Sequence, residues 1–364
     1  MPSFVELDVA GGPQSFAYSI STPTCTEARS IDPNLPTVMF LHPVFIGQEA
    51  FASQFNDPQL RRFNLVALDL RGYGRTGGTV PEGYNQEMAA DDVVQFMDAL
   101  KIPPSHIFAL SMGTIVGLQL AVSYPGRVLS LFFVSPICLE ELPDVAYGRQ
   151  EIHDSWVDGI GKSQANEDED KQDKEAITHA SMGGMQLAFK DVGSSLTRAY
   201  VNHCLPQTLK NWDSAKLDTY TRVTLDFFNL RKAHSVDTLR TALASNNAPV
   251  QLIHCSDDVA YPLDYTNQFK TQLEEAGVDN VGLEVVEGSH LGSIEHGYLI
   301  NPIFYDFLLD HIDSEVQSHL PSPPREVTSP WDTELIKAGW NKYDNAQDSD
   351  SDEDDSQDSE LEFV

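Results

Sequence analysis

A serine hydroxyl becomes a nucleophile only when a base removes its proton, and a histidine oriented by a carboxylate is the usual means. This chain offers that set. Ser111 lies in Ala109-Leu110-Ser111-Met112-Gly113, between the apolar run His106-Ile107-Phe108-Ala109-Leu110 and the helix-like stretch from Thr114 to Ala121. A serine at a sharp strand-to-helix turn projects its hydroxyl clear of the sheet, and small residues two before and two after it let strand and helix pass closely. Ala109 and Gly113 meet that need. Asp258 follows the apolar run Val250-Gln251-Leu252-Ile253-His254, and His290 follows Gly282 to Val286. Asp257 is the rival of Asp258. His254 is expected to pack at the end of its strand, and His296 lies at or before a helix. A second Ser-Met-Gly, at Ser181, has bulky His179 two residues before it and no strand ahead. It reads as loop or helix start.

Elements that must carry these residues alternate along the chain. Ser3 to Val9 and Gln14 to Ser21 read as an edge hairpin. Thr37 to Leu41, Leu65 to Leu68 and Val128 to Val134 are short continuous apolar runs, expected of strands buried on both faces. Gln86 to Leu100, Tyr265 to Ala276 and Tyr298 to Ile312 have helical spacing. The alternation predicts an α/β fold, a mostly parallel eight-stranded sheet with helices on both faces. Ser111, Asp258 and His290 all then fall at carboxyl ends of strands, where such sheets bind ligands. Roughly Leu139 to Ala248 breaks the pattern with amphipathic helical stretches, too long a segment for a loop. It is expected to form a helical cap over that edge, the other reading being a peripheral insertion. The expected organisation is core 1–138, cap 139–248, core 249–320, a linker and docked segment 321–343, and a disordered acidic tail 344–364.

Four segments resemble the α/β-hydrolase superfamily, in its esterase and epoxide-hydrolase-like branch. They are the turn around Ser111, the Asp258 and His290 segments in the order Ser, Asp, His, Phe40-Leu41-His42-Pro43-Val44-Phe45, and Asp69-Leu70-Arg71-Gly72-Tyr73-Gly74-Arg75-Thr76. Ala109 and Pro43 stand where the family carries glycine. The resemblance implies catalytic Ser111, Asp258 and His290, with an oxyanion hole from the backbone N–H groups of Val44 and Met112. It assigns His42 to ordering its loop, and Asp69 and Arg71 to fixing their turn. Epoxide hydrolases and haloalkane dehalogenases of this fold use an aspartate nucleophile, so Ser111 points to acyl chemistry: a carboxylic ester or related acyl compound. An acyltransferase with the same triad and a non-catalytic binding protein of the same fold stay open.

The formal net charge of −32 disfavours nucleic-acid partners. Ten acidic residues between Asp344 and Glu362 carry part of it, leaving about −22 elsewhere. The expected partner is a small, neutral or apolar acyl substrate. No run of eighteen apolar residues suggests a membrane span, and the start lacks signal-peptide features, so a cytoplasmic protein is expected. Cys25, Cys138, Cys204 and Cys255 lack metal spacing and read as reduced buried thiols. No cofactor or metal is implied. Ser349, Ser351, Ser356 and Ser359 of the tail resemble acidophilic-kinase sites. Oligomeric state is left open.

Overall fold

The computed structural model describes residues 2–161, 174–189 and 194–342. Eight strands form one sheet: β1 (Ser3–Val9), β2 (Gly12–Ser21), β3 (Thr37–Leu41), β4 (Asn64–Leu68), β5 (Ser105–Leu110), β6 (Val128–Val134), β7 (Val250–Cys255) and β8 (Val281–Val286). Their spatial order is β1-β2-β4-β3-β5-β6-β7-β8. β2 pairs antiparallel with both β1 and β4, and the pairs from β4 to β8 are parallel.

Period-two side-chain alternation explains the continuous apolar runs. Met39, Leu41, Val66, Leu68, Ile107, Ala109, Leu131 and Phe133 enter one core. Their neighbours Val38, Phe40, Leu65, Ala67, Phe108, Leu110, Phe132 and Val134 enter the other. Phe108 stacks on Phe132 at 5.3 Å, and Phe304 from the helix Gly297–Asp310 meets both edge-on or tilted. The helix Gln86–Ala99 shows the matching pattern for one face: Ala89, Ala90, Val93, Phe96 and Met97 are buried. Asn85 caps it, accepting from the Met88 N–H at 3.0 Å.

Between β6 and β7 the described residues form helices, chiefly Pro143–Gly161, Lys174–Ala188, Ser195–Asn211 and Val236–Ala242. The second Ser-Met-Gly is placed differently from its expected loop or helix start. Ser181 sits inside the helix Lys174–Ala188 and donates to the Ile177 carbonyl at 2.9 Å. Gly183 does not break this helix, because it serves packing: a Cβ there would lie 2.9 Å from Ile152 Cγ1.

Trp331 is buried and meets Phe55 edge-on at 4.8 Å, and Asp332–Lys337 is helical. Glu334 on that helix pairs with Arg75 at 2.6 Å. Tyr343 and the acidic tail 344–364, with its four serines, lie outside the described residues, as does most of the acidic segment 166–175. Among the cysteines, Cys138 and Cys255 are buried as expected. Cys25 is exposed and Cys204 is half-buried, because each stands outside the sheet core. No helix among the described residues is long and apolar enough to cross a membrane.

Candidate active site

Ser111 follows β5 directly and precedes the helix Met112–Ser123. Its backbone, at φ 51° and ψ −115°, is strained for a non-glycine residue. Surrounding bonds hold it there. The Ser111 N–H donates to the Val134 carbonyl at 3.0 Å, and the Ser111 carbonyl accepts from the Thr114 N–H at 2.8 Å and the Thr114 hydroxyl at 2.6 Å. Gly113 has no room for a side chain, since a Cβ would lie 2.0 Å from the Leu41 carbonyl oxygen of β3.

The sheet brings three separated residues together. Ser111 Oγ lies 2.7 Å from His290 Nε2, and His290 Nδ1 lies 2.6 Å from Asp258 Oδ2. The consistent assignment has His290 protonated on Nδ1, donating to the carboxylate, and accepting the serine proton on Nε2. Asp258 Oδ1 accepts from the N–H groups of Ala260 (3.0 Å) and Tyr261 (2.9 Å). Burial pushes this carboxyl up, but His290 and those two N–H groups outweigh burial and hold it below the usual carboxylate range. Asp258, not Asp257, faces His290. His254 packs at the end of β7, with Nδ1 3.3 Å from the Thr266 hydroxyl, and His296 contacts Tyr298 at 3.3 Å.

The loop after β3 is tied from within. His42 Nδ1–H donates to the Pro43 carbonyl at 2.7 Å, and Nε2 accepts from the Leu70 N–H at 2.8 Å. The bond accepted by Nε2 requires the neutral ring, and burial lowers its pKa to about 4. Phe45 takes φ 69°, bending the chain just past Val44. Asp69 accepts from the Gln48 and Arg75 N–H groups, each at 2.8 Å, which closes the turn after β4 onto the same loop. Buried Arg71 pairs with buried Asp92. Val44 shares a cavity with Ser111 and His290. Met112 opens its helix, where first-turn N–H groups lack intrahelical partners.

That cavity, about 370 Å³ including its mouth, is closed on one side by Val145 and Arg149 of Pro143–Gly161 and by Gly184, Leu187 and Ala188 of Lys174–Ala188. Val44, Phe45, Gly184, Ala188 and Leu291 also border a neighbouring apolar chamber of about 690 Å³, mouth included. Ile152, Trp156, Met185, Phe189 and Trp212 line the chamber further out.

A charged group beside the serine is absent from the sequence reading. Arg149 Nε donates to Glu141 Oε2 at 3.0 Å, and Arg231 Nη1 reaches the same oxygen at 3.3 Å. Tyr261 donates to Glu141 Oε1 at 2.7 Å. A signal for Arg149 exists: Val145, Arg149, Ile152 and Trp156 recur at the spacing of one helix face, so the arginine interrupts an otherwise apolar stripe.

A family profile for the alpha/beta hydrolase fold matches residues 36–276. The chain belongs to the alpha/beta hydrolase family. The RutD protein of Variovorax paradoxus, named for carbamate hydrolysis, is 42% identical over 71 residues, which is 20% of this chain and 27% of that protein. The chain therefore aligns with only about a quarter of that relative's length. The AB hydrolase superfamily protein YisY of Bacillus subtilis is 23% identical over 248 residues, covering 66% of this chain and 80% of YisY. The enol-lactonase of Burkholderia xenovorans LB400 shares the fold, with a TM-score of 0.58 at 18% identity over 84% of this chain and all (100%) of that one. The fold and the hydrolase-named relatives support an enzyme.

Proposed function

We propose that this protein is a serine hydrolase that cleaves a carboxylic ester or a related acyl compound through an acyl-enzyme. The observation that carries the reading is the relay Ser111–His290–Asp258, with links of 2.7 and 2.6 Å. In it, His290 Nε2 takes the hydroxyl proton as Ser111 Oγ attacks the carbonyl carbon. Asp258 stabilises the imidazolium that forms, and its depressed pKa keeps it ionised for that task. The tetrahedral oxyanion is assigned to the N–H groups of Met112 and Val44. Two such donors together lower the barrier by several kcal/mol, each removal costing about 3. Protonated His290 then gives its proton to the leaving oxygen, and a water activated by the same ring releases the acid. The helices between β6 and β7 are assigned as the cap that shields the acyl-enzyme. The apolar chamber beside the serine suits an apolar acyl or alcohol limb. The carbamate- and lactone-directed names of RutD and the enol-lactonase agree with acyl chemistry at this serine.

A fluorophosphonate probe on wild type and Ser111→Ala, with p-nitrophenyl esters of increasing chain length, tests the reading. Labelling and ester turnover, both lost in the variant, are expected. Correctly folded wild type that neither labels nor turns over esters refutes it in favour of a binding protein. Product formation with an added alcohol, amine or thiol that outruns hydrolysis would make the chain an acyltransferase.

A further inference from the structure

The whole chain is strongly negative, whereas one buried cluster beside its candidate site carries a positive surplus. Beside Ser111, two arginines share one carboxylate: Arg149 and Arg231 both bond Glu141. All three side chains are buried, at 6%, 1% and 4% exposure. Burial pushes the Glu141 carboxyl up, but the two guanidiniums outweigh it and hold it ionised. Tyr261, pushed up to about 12 by burial, stays a neutral donor to Glu141. The cluster thus carries two positive charges against one negative. The carboxylate of Asp258 is separately engaged by His290 and two backbone N–H groups.

The surplus has a direction. Arg231 spends its donors on the Leu139 carbonyl (2.6 Å), Glu141 and the Tyr265 hydroxyl (3.1 Å). Arg149 places Nε on Glu141, Nη2 on the Tyr261 hydroxyl (3.3 Å) and its planar face on the Phe228 ring (3.6 Å). Its Nη1 has no hydrogen-bond partner among the described residues. Nor is Nη1 among the fully buried orphan atoms, and Arg149 lines the cavity that holds Ser111 and His290. A guanidinium held on three sides, with one N–H pair unpartnered in the wall of the cavity that holds the serine, is a preorganised anion site.

We infer that the substrate carries a carboxylate, which Arg149 Nη1 binds while an apolar limb occupies the neighbouring chamber. This rests on the reading of Ser111 as the nucleophile, and it makes Arg149 a specificity-determining residue. The substrate is then an amphiphilic acyl compound, anionic at one end, and the field of the local cluster overrides that of the distant acidic surface.

Two matched ester pairs test it on the full-length protein. One is p-nitrophenyl hexanoate against the mono-p-nitrophenyl ester of hexanedioic acid, with the carboxylate on the acyl limb. The other is benzyl hexanoate against its para-carboxybenzyl analogue, with the carboxylate on the leaving limb. In one pair the anionic member is expected to have the higher kcat/KM, by about 10- to 100-fold, the usual worth of a charge-assisted hydrogen bond. The gain should fall mainly in KM. Arg149→Met should bring that ratio to about one, and Arg149→Lys should keep part of it. Thermal unfolding of each variant checks folding, and the wild-type ratios decide the matter if a variant fails to fold. Neutral esters turned over with no anionic preference in either pair overturn this inference alone. So does a preference that Arg149→Met leaves intact. No turnover of any ester, with Ser111 unlabelled, removes the serine reading and this inference with it.

Discussion

Replacing Gly113 by alanine should damage both stability and activity, while the same substitution at Gly148 should stabilise. At Gly113 the added Cβ would stand 2.0 Å from the Leu41 carbonyl oxygen and 2.6 Å from its carbon, both backbone atoms of a central strand. Strand and helix must separate by about 1 Å before that contact reaches even 3.0 Å, below which Cβ contacts essentially never occur. Leu41 is paired on both sides, to Leu68 and Ala109, so β3 cannot yield without loss of ladder bonds. Overpacking typically costs about 1–3 kcal/mol, and a clash with backbone belongs at the top of that range. The helix-propensity gain of alanine offsets only about 0.5–1 kcal/mol. A net loss of about 2 kcal/mol is therefore expected. If the helix start moves instead, Ser111 moves with it, and a 1 Å displacement from His290 corresponds to roughly 100-fold in rate. Gly148 lies in the helix Pro143–Gly161 with nothing within 4 Å of its built Cβ. Alanine there should add about 0.5–1 kcal/mol. Urea midpoints and kcat/KM on a p-nitrophenyl ester measure both variants. Equal signs at the two positions, or a Gly113→Ala protein with wild-type midpoint and rate, would refute the close-approach argument.

Asp258→Asn should keep the fold but lose roughly 10³–10⁴ in kcat, because an amide nitrogen facing Nδ1 favours the wrong imidazole tautomer; steady-state kinetics beside a thermal melt checks this. His42 supplies a pH prediction. Its folded pKa, about 4, lies below the ordinary 6.5, so the unfolded chain binds the extra proton. Its contribution is present above pH 6.5 and is lost as pH falls towards 4, by roughly 3 kcal/mol in all. Asp69, raised to about 7 by burial and by Glu49, acts oppositely: its folded form holds a proton that the unfolded form has lost, so stability falls as pH rises towards 7. Urea midpoints at pH 7 and 4.5 for wild type and His42→Gln isolate the histidine. The variant should lose less stability on acidification, and an equal loss in both proteins would contradict the buried neutral ring.

Much of the fold was legible because apolar periodicity is a local property. The run Val128 to Val134 is apolar on both faces, and the structure sends alternate residues into the two cores. Sequence order likewise put Ser111, Asp258 and His290 at strand ends. It did not supply the distances between them, which depend on how β5, β7 and β8 lie across the sheet. The neighbours Asp257 and Asp258 differ in nothing that composition records. Backbone direction separates them, turning one carboxylate onto His290 and two N–H groups. Ser181, expected in a loop or at a helix start, lies inside the helix Lys174–Ala188, where Gly183 admits Ile152 from a helix earlier in the chain.

What the chain determined by itself is what neighbours along it dictate: strand runs, the strained turn at Ser111, and the types of side chain available for acyl chemistry. What tertiary structure alone decided is where charge is held. Glu141, Arg149 and Arg231 meet although Arg231 is 90 positions from Glu141. In a chain of net charge −32, helical spacing marks Arg149 as facing inward, but nothing along the sequence brings Glu141 and Arg231 to it. Burial sets the strength and sign of that local field, and burial is a property of the folded molecule.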